Sequence, residues 1–155
     1  MTKDIAEITG ESDSLDDVAP TGRVLRCHEV SYKAQGKRGH EAIASVCYAK
    51  TGKRVVLSVK QLEDELNYDG KKDWLDIRYD DANKAILIGK SDETRGVKPI
   101  VTEKKYIIYC TRIVKDFVDT LSLEFGDHSS VSTYVYDKEK IDGKDFVVIA
   151  GKDFV

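Results

Sequence analysis

The sequence predicts an α+β fold, mainly β, in which two strand–helix–hairpin halves pack into a small barrel or sandwich. Three observations predict it. Val55, Leu57 and Val59 alternate with Val56, Ser58 and Lys60, the period of two expected of a half-buried strand. Val59, Leu62 and Leu66 then fall at i, i+3 and i+7, which gathers them into one stripe of a short helix. The same order of strand, helix and hairpin returns loosely between residues 105 and 150.

Taken in order, residues 1–20 read as an acidic tail, with Asp4, Glu7, Glu11, Asp13, Asp16 and Asp17 offset only by Lys3. Residues 21–100 form the first half. In it, residues 22–27 suggest a strand and residues 34–40 a Gly-flanked basic loop, whose Lys37, Arg38 and His40 are candidate phosphate contacts. A solvated hairpin tip is the plainer reading of those charges. From Ala44 the chain reads as a strand, a turn at Thr51-Gly52, and a second strand ending at Ser58, whose hydroxyl caps the helix. Glu63, Asp64 and Glu65 face water on that helix. Residues 67–73 carry turn chemistry centred on Asp69-Gly70. A hairpin follows: residues 74–79 pair across a reversal at 80–83 with residues 85–88. Trp74, Asp76 and Arg78 point one way, and Leu75, Ile77 and Tyr79 the other.

Residues 91–101, with Gly96 and Pro99, read as a connection, and residues 101–155 form the second half. There a strand at 105–109 leads to a helix with Val114, Phe117, Val118 and Leu121 on one side. A strand at 130–137 and a reversal at 137–143 precede Phe146-Val-Val-Ile. Tyr134-Val-Tyr-Asp-Lys echoes Ile77-Arg-Tyr-Asp-Asp, and residues 147–152 echo residues 86–90, which suggests an internal duplication. The pentapeptide Gly-Lys-Asp-Phe-Val, at 143–147 and 151–155, reads as chance repetition at the ends of one edge strand.

Composition narrows the function. With 41% apolar and 34% charged residues and a net charge of −3, neither a general nucleic-acid binder nor an acidic disordered protein is indicated. No apolar run approaches the ~20 residues of a membrane span, and the N-terminus lacks a signal pattern, so a cytoplasmic location is expected. Cys27, Cys47 and Cys110 are odd in number and far apart, which fits reduced thiols packed as small hydrophobes. The histidines at 28, 40 and 128 show no ligand spacing with them. Ile88-Gly-Lys-Ser resembles the end of a phosphate loop, but Lys84 stands where that loop requires glycine. His128-Ser129-Ser130 lacks a nucleophile elbow. No enzymatic role and no cofactor are therefore expected.

The run Lys53-Arg-Val-Val-Leu-Ser58, then Gln61-Leu62 and Leu66, Trp74-Leu-Asp-Ile77, Asp80-Asp81 and Ile86-Leu-Ile88 resembles the AbrB-type swapped-hairpin domain of transition-state regulators and antitoxins. The resemblance covers roughly a third of the chain. It implies a barrel completed by a second copy, so that the chain is either a homodimer or a pseudo-dimeric monomer. It also implies transcriptional regulation through DNA, with Lys50, Lys53 and Arg54 at the first turn, Lys60 on the helix and Arg78 on the solvent face of the hairpin as contacts. The same cations also serve as ordinary strand-edge protection. Glu63 and Asp64 stand where DNA-binding members commonly carry arginine. They favour a second expectation, an inhibitor or adaptor of the kind encoded by phages and mobile elements. It would bind a basic protein partner through Glu63, Asp64, Glu65 and the acidic tail.

Overall fold

Alternating apolar residues become strands, and the two apolar stripes become helices, in the computed structural model, which describes residues 22–24 and 41–155. The tail, Cys27, His28 and the basic loop with Lys37, Arg38 and His40 lie outside the described residues. Strands β1 (Ala44–Ala49) and β2 (Gly52–Ser58) form a hairpin with Ala49 opposite Gly52, so the turn is Lys50-Thr51, one residue earlier than expected. Helix α1 (Val59–Leu66) follows directly. The Ser58 hydroxyl accepts from the Gln61 amide at 3.5 Å, and Asn67 ends the helix in the left-handed region, φ 55°. The first half closes with the hairpin of β3 (Trp74–Asp80) and β4 (Ala85–Ser91).

The second half contains β5 (Ile100–Val101), β6 (Lys105–Ile108), α2 (Thr111–Leu121), β7 (Ser130–Thr133), β8 (Asp137–Ile141) and β9 (Lys144–Ala150). A 3-10 turn at Gly151–Asp153 follows. The fold is α+β, mainly β, as expected; of the two expected packings, barrel or sandwich, no closed barrel forms, and the strands make two antiparallel sheets, ordered β5-β6-β2-β1-β7 and β3-β4-β9-β8. The helices keep these sheets apart, since α1 contacts β2 and β9 while α2 contacts β1 and β2 of one sheet and β3 and β4 of the other. One core unites all four components, with Val55 and Leu57 from β2, Leu62 and Leu66 from α1, Phe117 and Leu121 from α2, and Ile86, Ile88, Val147 and Ile149 from β4 and β9. Burial of each such side chain stabilises the fold by about 1.5–3 kcal/mol.

Apart from β7, the strand order reads alike from either edge of each sheet. The β1–β2 and β5–β6 hairpins meet where Val55 pairs with Ile108 and Leu57 with Tyr106. The β3–β4 and β8–β9 hairpins meet where Ile86 pairs with Ile149 and Ile88 with Val147. Each helix packs on the hairpin of the other half: α1 on β9, and α2 on β3 and β4.

Several expectations are corrected. The strand expected at 130–137 is broken, because the Thr133 hydroxyl folds back onto Val135, accepting from its amide at 3.3 Å and donating to its carbonyl at 3.0 Å. Residues 137–141, expected as part of a reversal, are instead β8, and the turn shrinks to Asp142-Gly143. Their polar sequence suits an outer strand, paired on one side alone. Strand β9, expected at an edge, lies between β4 and β8. The connection at 91–101 is also more structured than its polar sequence suggests. Val97 and Leu75 exchange backbone hydrogen bonds of 2.8 Å, and Ile100 and Val101 become β5. Cys47 is half-buried and Cys110 exposed, not packed in the core.

Candidate nucleic-acid interface

The β1–β2 hairpin is short and tight, with Ala49 opposite Gly52, so its few turn residues carry the charges that the sequence places there. Lys50 and Arg54 are exposed, and Lys53 is half-buried with its ammonium 5.4 Å from the centre of the Tyr48 ring. No carboxylate among the described residues pairs with any of the three. Tyr109 joins them. It follows the Val55–Ile108 pair by one residue, which carries it alongside Arg54, and it is 55% exposed. Sequence reasoning treats Tyr109 as the last residue of a strand. The one available signal was an aromatic just before the Cys110 N-cap of α2, where a strand stops and its last side chain leaves the core.

The other expected contacts do not converge there. Lys60 is exposed on the first turn of α1, at the opposite end of β2, roughly 20 Å away by strand rise. Arg78 is not on a free solvent face. Its guanidinium donates twice to Asp76, at 3.2 and 3.1 Å, and lies 4.7 Å from the centre of the Phe146 ring. Lys144 closes the same cluster with a 2.6 Å bond to Asp76. This pairing makes Arg78 part of the sheet's packing, since the neighbouring Leu87, Phe146 and Val148 are buried in a second apolar cluster.

The acidic helix divides similarly. Glu63 and Asp64 are exposed, whereas Glu65 turns inward, accepting from the Tyr136 hydroxyl at 2.5 Å and pairing with Lys138 at 3.1 Å. The Tyr136 hydrogen bond lowers the Glu65 pKa, and Lys138 adds to the effect against a smaller opposing push from burial. Burial, with Glu65 beside it, pushes Tyr136 up to about 12.

Around Arg54 and Tyr109 lies the outer face of the five-stranded sheet. One row crosses it as Ile100, Ile107, Val56, Ser45 and Ser132, and another pairs Arg54, Cys47 and Ser130. Ser45 and Ser132 hydrogen-bond to one another at 2.7 Å. Among the described residues no group of His, Cys, Asp and Glu is arranged to hold a metal ion, and no helix is long and apolar enough to cross a membrane. Comparison with family models, curated proteins and solved structures gives no significant match.

Proposed function

We propose that the chain is a non-enzymatic DNA-binding protein, a regulator or antitoxin of the swapped-hairpin kind. Its β1–β2 turn contacts phosphates through Lys50, Lys53 and Arg54. The observation that carries this reading is the gathering of three cations at one turn with no carboxylate partner among the described residues. The packing of each helix on the other half's hairpin supports the swapped-hairpin kinship and a pseudo-dimeric monomer. Glu63 and Asp64 do not oppose DNA contact at the turn. They sit past the far end of β2, roughly 20 Å off by strand rise, more than twice the Debye length of about 8 Å at physiological salt.

A mobility shift on duplex DNA tests this. Three phosphate contacts give log affinity against log salt a slope of about −3. Lys50→Glu with Arg54→Glu, both on exposed side chains, abolishes retardation, and Glu63→Gln with Asp64→Asn leaves it unchanged. Absence of retardation on any nucleic acid at low salt removes the reading. A second reading rests on the exposed Glu63 and Asp64: capture of a basic protein partner, lost in the Glu63→Gln, Asp64→Asn variant.

A further inference from the structure

We propose that the outer face of the five-stranded sheet is a platform for single-stranded DNA. Tyr109 is its stacking ring, and Lys50 and Arg54 are the phosphate contacts at its margin. The inference rests on the DNA-binding reading above and specifies the form of strand.

The first argument is exposure. Ile100 and Tyr109, each 55% exposed, and Val101, 49% exposed, are with Val155 the large apolar side chains that the described residues leave open to water. Ile100 and Tyr109 belong to this face and its margin, and half-buried Ile107 and Val56 continue the row from Ile100 inward. Clustered apolar exposure marks a binding surface, whereas scattered exposure does not.

Charge supplies the second argument. The chain has 28 Asp and Glu and a net charge of −3. Yet Ser45, Cys47, Ala49, Arg54, Val56, Lys105, Ile107, Ile100, Ser130 and Ser132, which make this face, include no carboxylate. By register the exposed Asp127, three residues before Ser130, flanks the turn end of β1, whereas Glu41 and Glu103 lie at the Ser58 end, away from Arg54 and Tyr109. There Glu41 accepts from the Ser58 hydroxyl at 3.2 Å, and the Lys104 carbonyl accepts from Val59 at 3.1 Å. The face is thus neutral to positive and complementary to a polyanion with apolar bases.

Shape then selects the strand. A five-stranded sheet is roughly 19 Å wide, at about 4.8 Å between strands, and so cannot enter a major groove of about 12 Å. A duplex would meet the turn alone. Splayed bases, by contrast, lie flat on a sheet and stack on an exposed tyrosine, while the backbone runs along the cations at its rim. The occupant is DNA by the reading above; on this face Ser45 and Ser132 hydrogen-bond to one another, while Ser130 is exposed.

Fluorescence anisotropy with labelled dT12, U12 and a 12-base-pair duplex, using the full chain, decides the matter. The expected result is that dT12 binds at least 10-fold more tightly than the duplex and more tightly than U12. Tyr109→Ala then weakens dT12 binding about 10-fold, and Tyr109→Phe, which keeps the ring, restores it. Duplex binding that equals or exceeds dT12 binding and ignores Tyr109 overturns this inference while leaving the DNA-binding reading intact. Equal or tighter binding of U12 overturns the assignment to DNA. Self-association of the chain that Ile107→Asp removes without changing dT12 binding also overturns it, by assigning the face to a second copy. Failure to bind any of the three probes at low salt overturns both readings.

Discussion

Gly-Lys-Asp-Phe-Val occurs twice, and its two glycines serve opposite needs. Gly143, at φ 79°, follows Asp142 at φ 52° in the two-residue turn of the β8–β9 hairpin, where a Cβ would meet no other atom within 4 Å. At Gly151, a Cβ would lie 1.9 Å from the carbonyl oxygen of Leu121 at the end of α2. Neither backbone can yield without shifting the α2 terminus or the end of β9. Gly151→Ala is therefore expected to cost about 3 kcal/mol and Gly143→Ala about 1 kcal/mol. Urea midpoints measure both costs, with unchanged m-values. Tyr136 and Glu65 add a pH-dependent contact. The folded-state pKa of Glu65 lies below its ordinary value of 4.5. Its contribution is therefore complete above about pH 4.5 and is lost as pH falls through the lowered value. Tyr136→Phe is expected to cost about 1–2 kcal/mol at pH 7, with the difference from wild type shrinking below pH 4.5 in acid titrations of stability.

The edge of β3 shows how elements are held together. At one end Gly22 and Val24 bracket Tyr79, with hydrogen bonds of 2.9 and 2.7 Å. At the other end Val97 covers Leu75. Arg23 locks the first of these contacts. It lies 4.8 Å from the centre of the Tyr79 ring, donates to Asp81 and Thr120 at 3.0 Å each, and pairs with Asp116 at 3.6 Å. Segment 22–24, the β3–β4 turn and α2 thus share one cation, while burial raises the Tyr79 pKa. An uncovered edge would present free amides to another chain. Arg23→Ala is expected to lower stability by about 1–2 kcal/mol and to speed hydrogen exchange at the Tyr79 amide more than at Ile88, which lies inside the sheet.

At the scale of the molecule, the halves do not have cores of their own. The β2–β6 ladder builds one sheet from both, the β4–β9 ladder builds the other, and each helix lies on the other half's hairpin. Unfolding is expected to be a single transition, with Trp74 fluorescence and far-UV circular dichroism giving the same urea midpoint. Separate midpoints would mean that the halves fold independently. Sedimentation is expected to give the 17.4 kDa monomer.

Period-two runs, the apolar stripes, the Ser58 cap and the turns at 67–73 and 80–83 are local properties, fixed by φ/ψ preference and side-chain spacing within a few residues of one another. The sequence by itself therefore determined both helices, the strands other than β5 and β8, the mainly β class and the cationic turn. Three things depended on contacts between distant segments. Arg78 became a packing residue because Phe146 and Lys144 of β9, reached across β4, close on it and on Asp76 of its own strand, and Glu65 was drawn inward by Tyr136 and Lys138. Residues 137–141 became a strand because β9 offered a free edge, whatever their own polarity. Even the echo of Tyr79 in Tyr136 slips by two residues: Tyr79 faces Ile86, but Lys138 faces Val147. Tertiary structure decided these points because pairing register and burial are set by which strands become neighbours, and no window of sequence contains both partners.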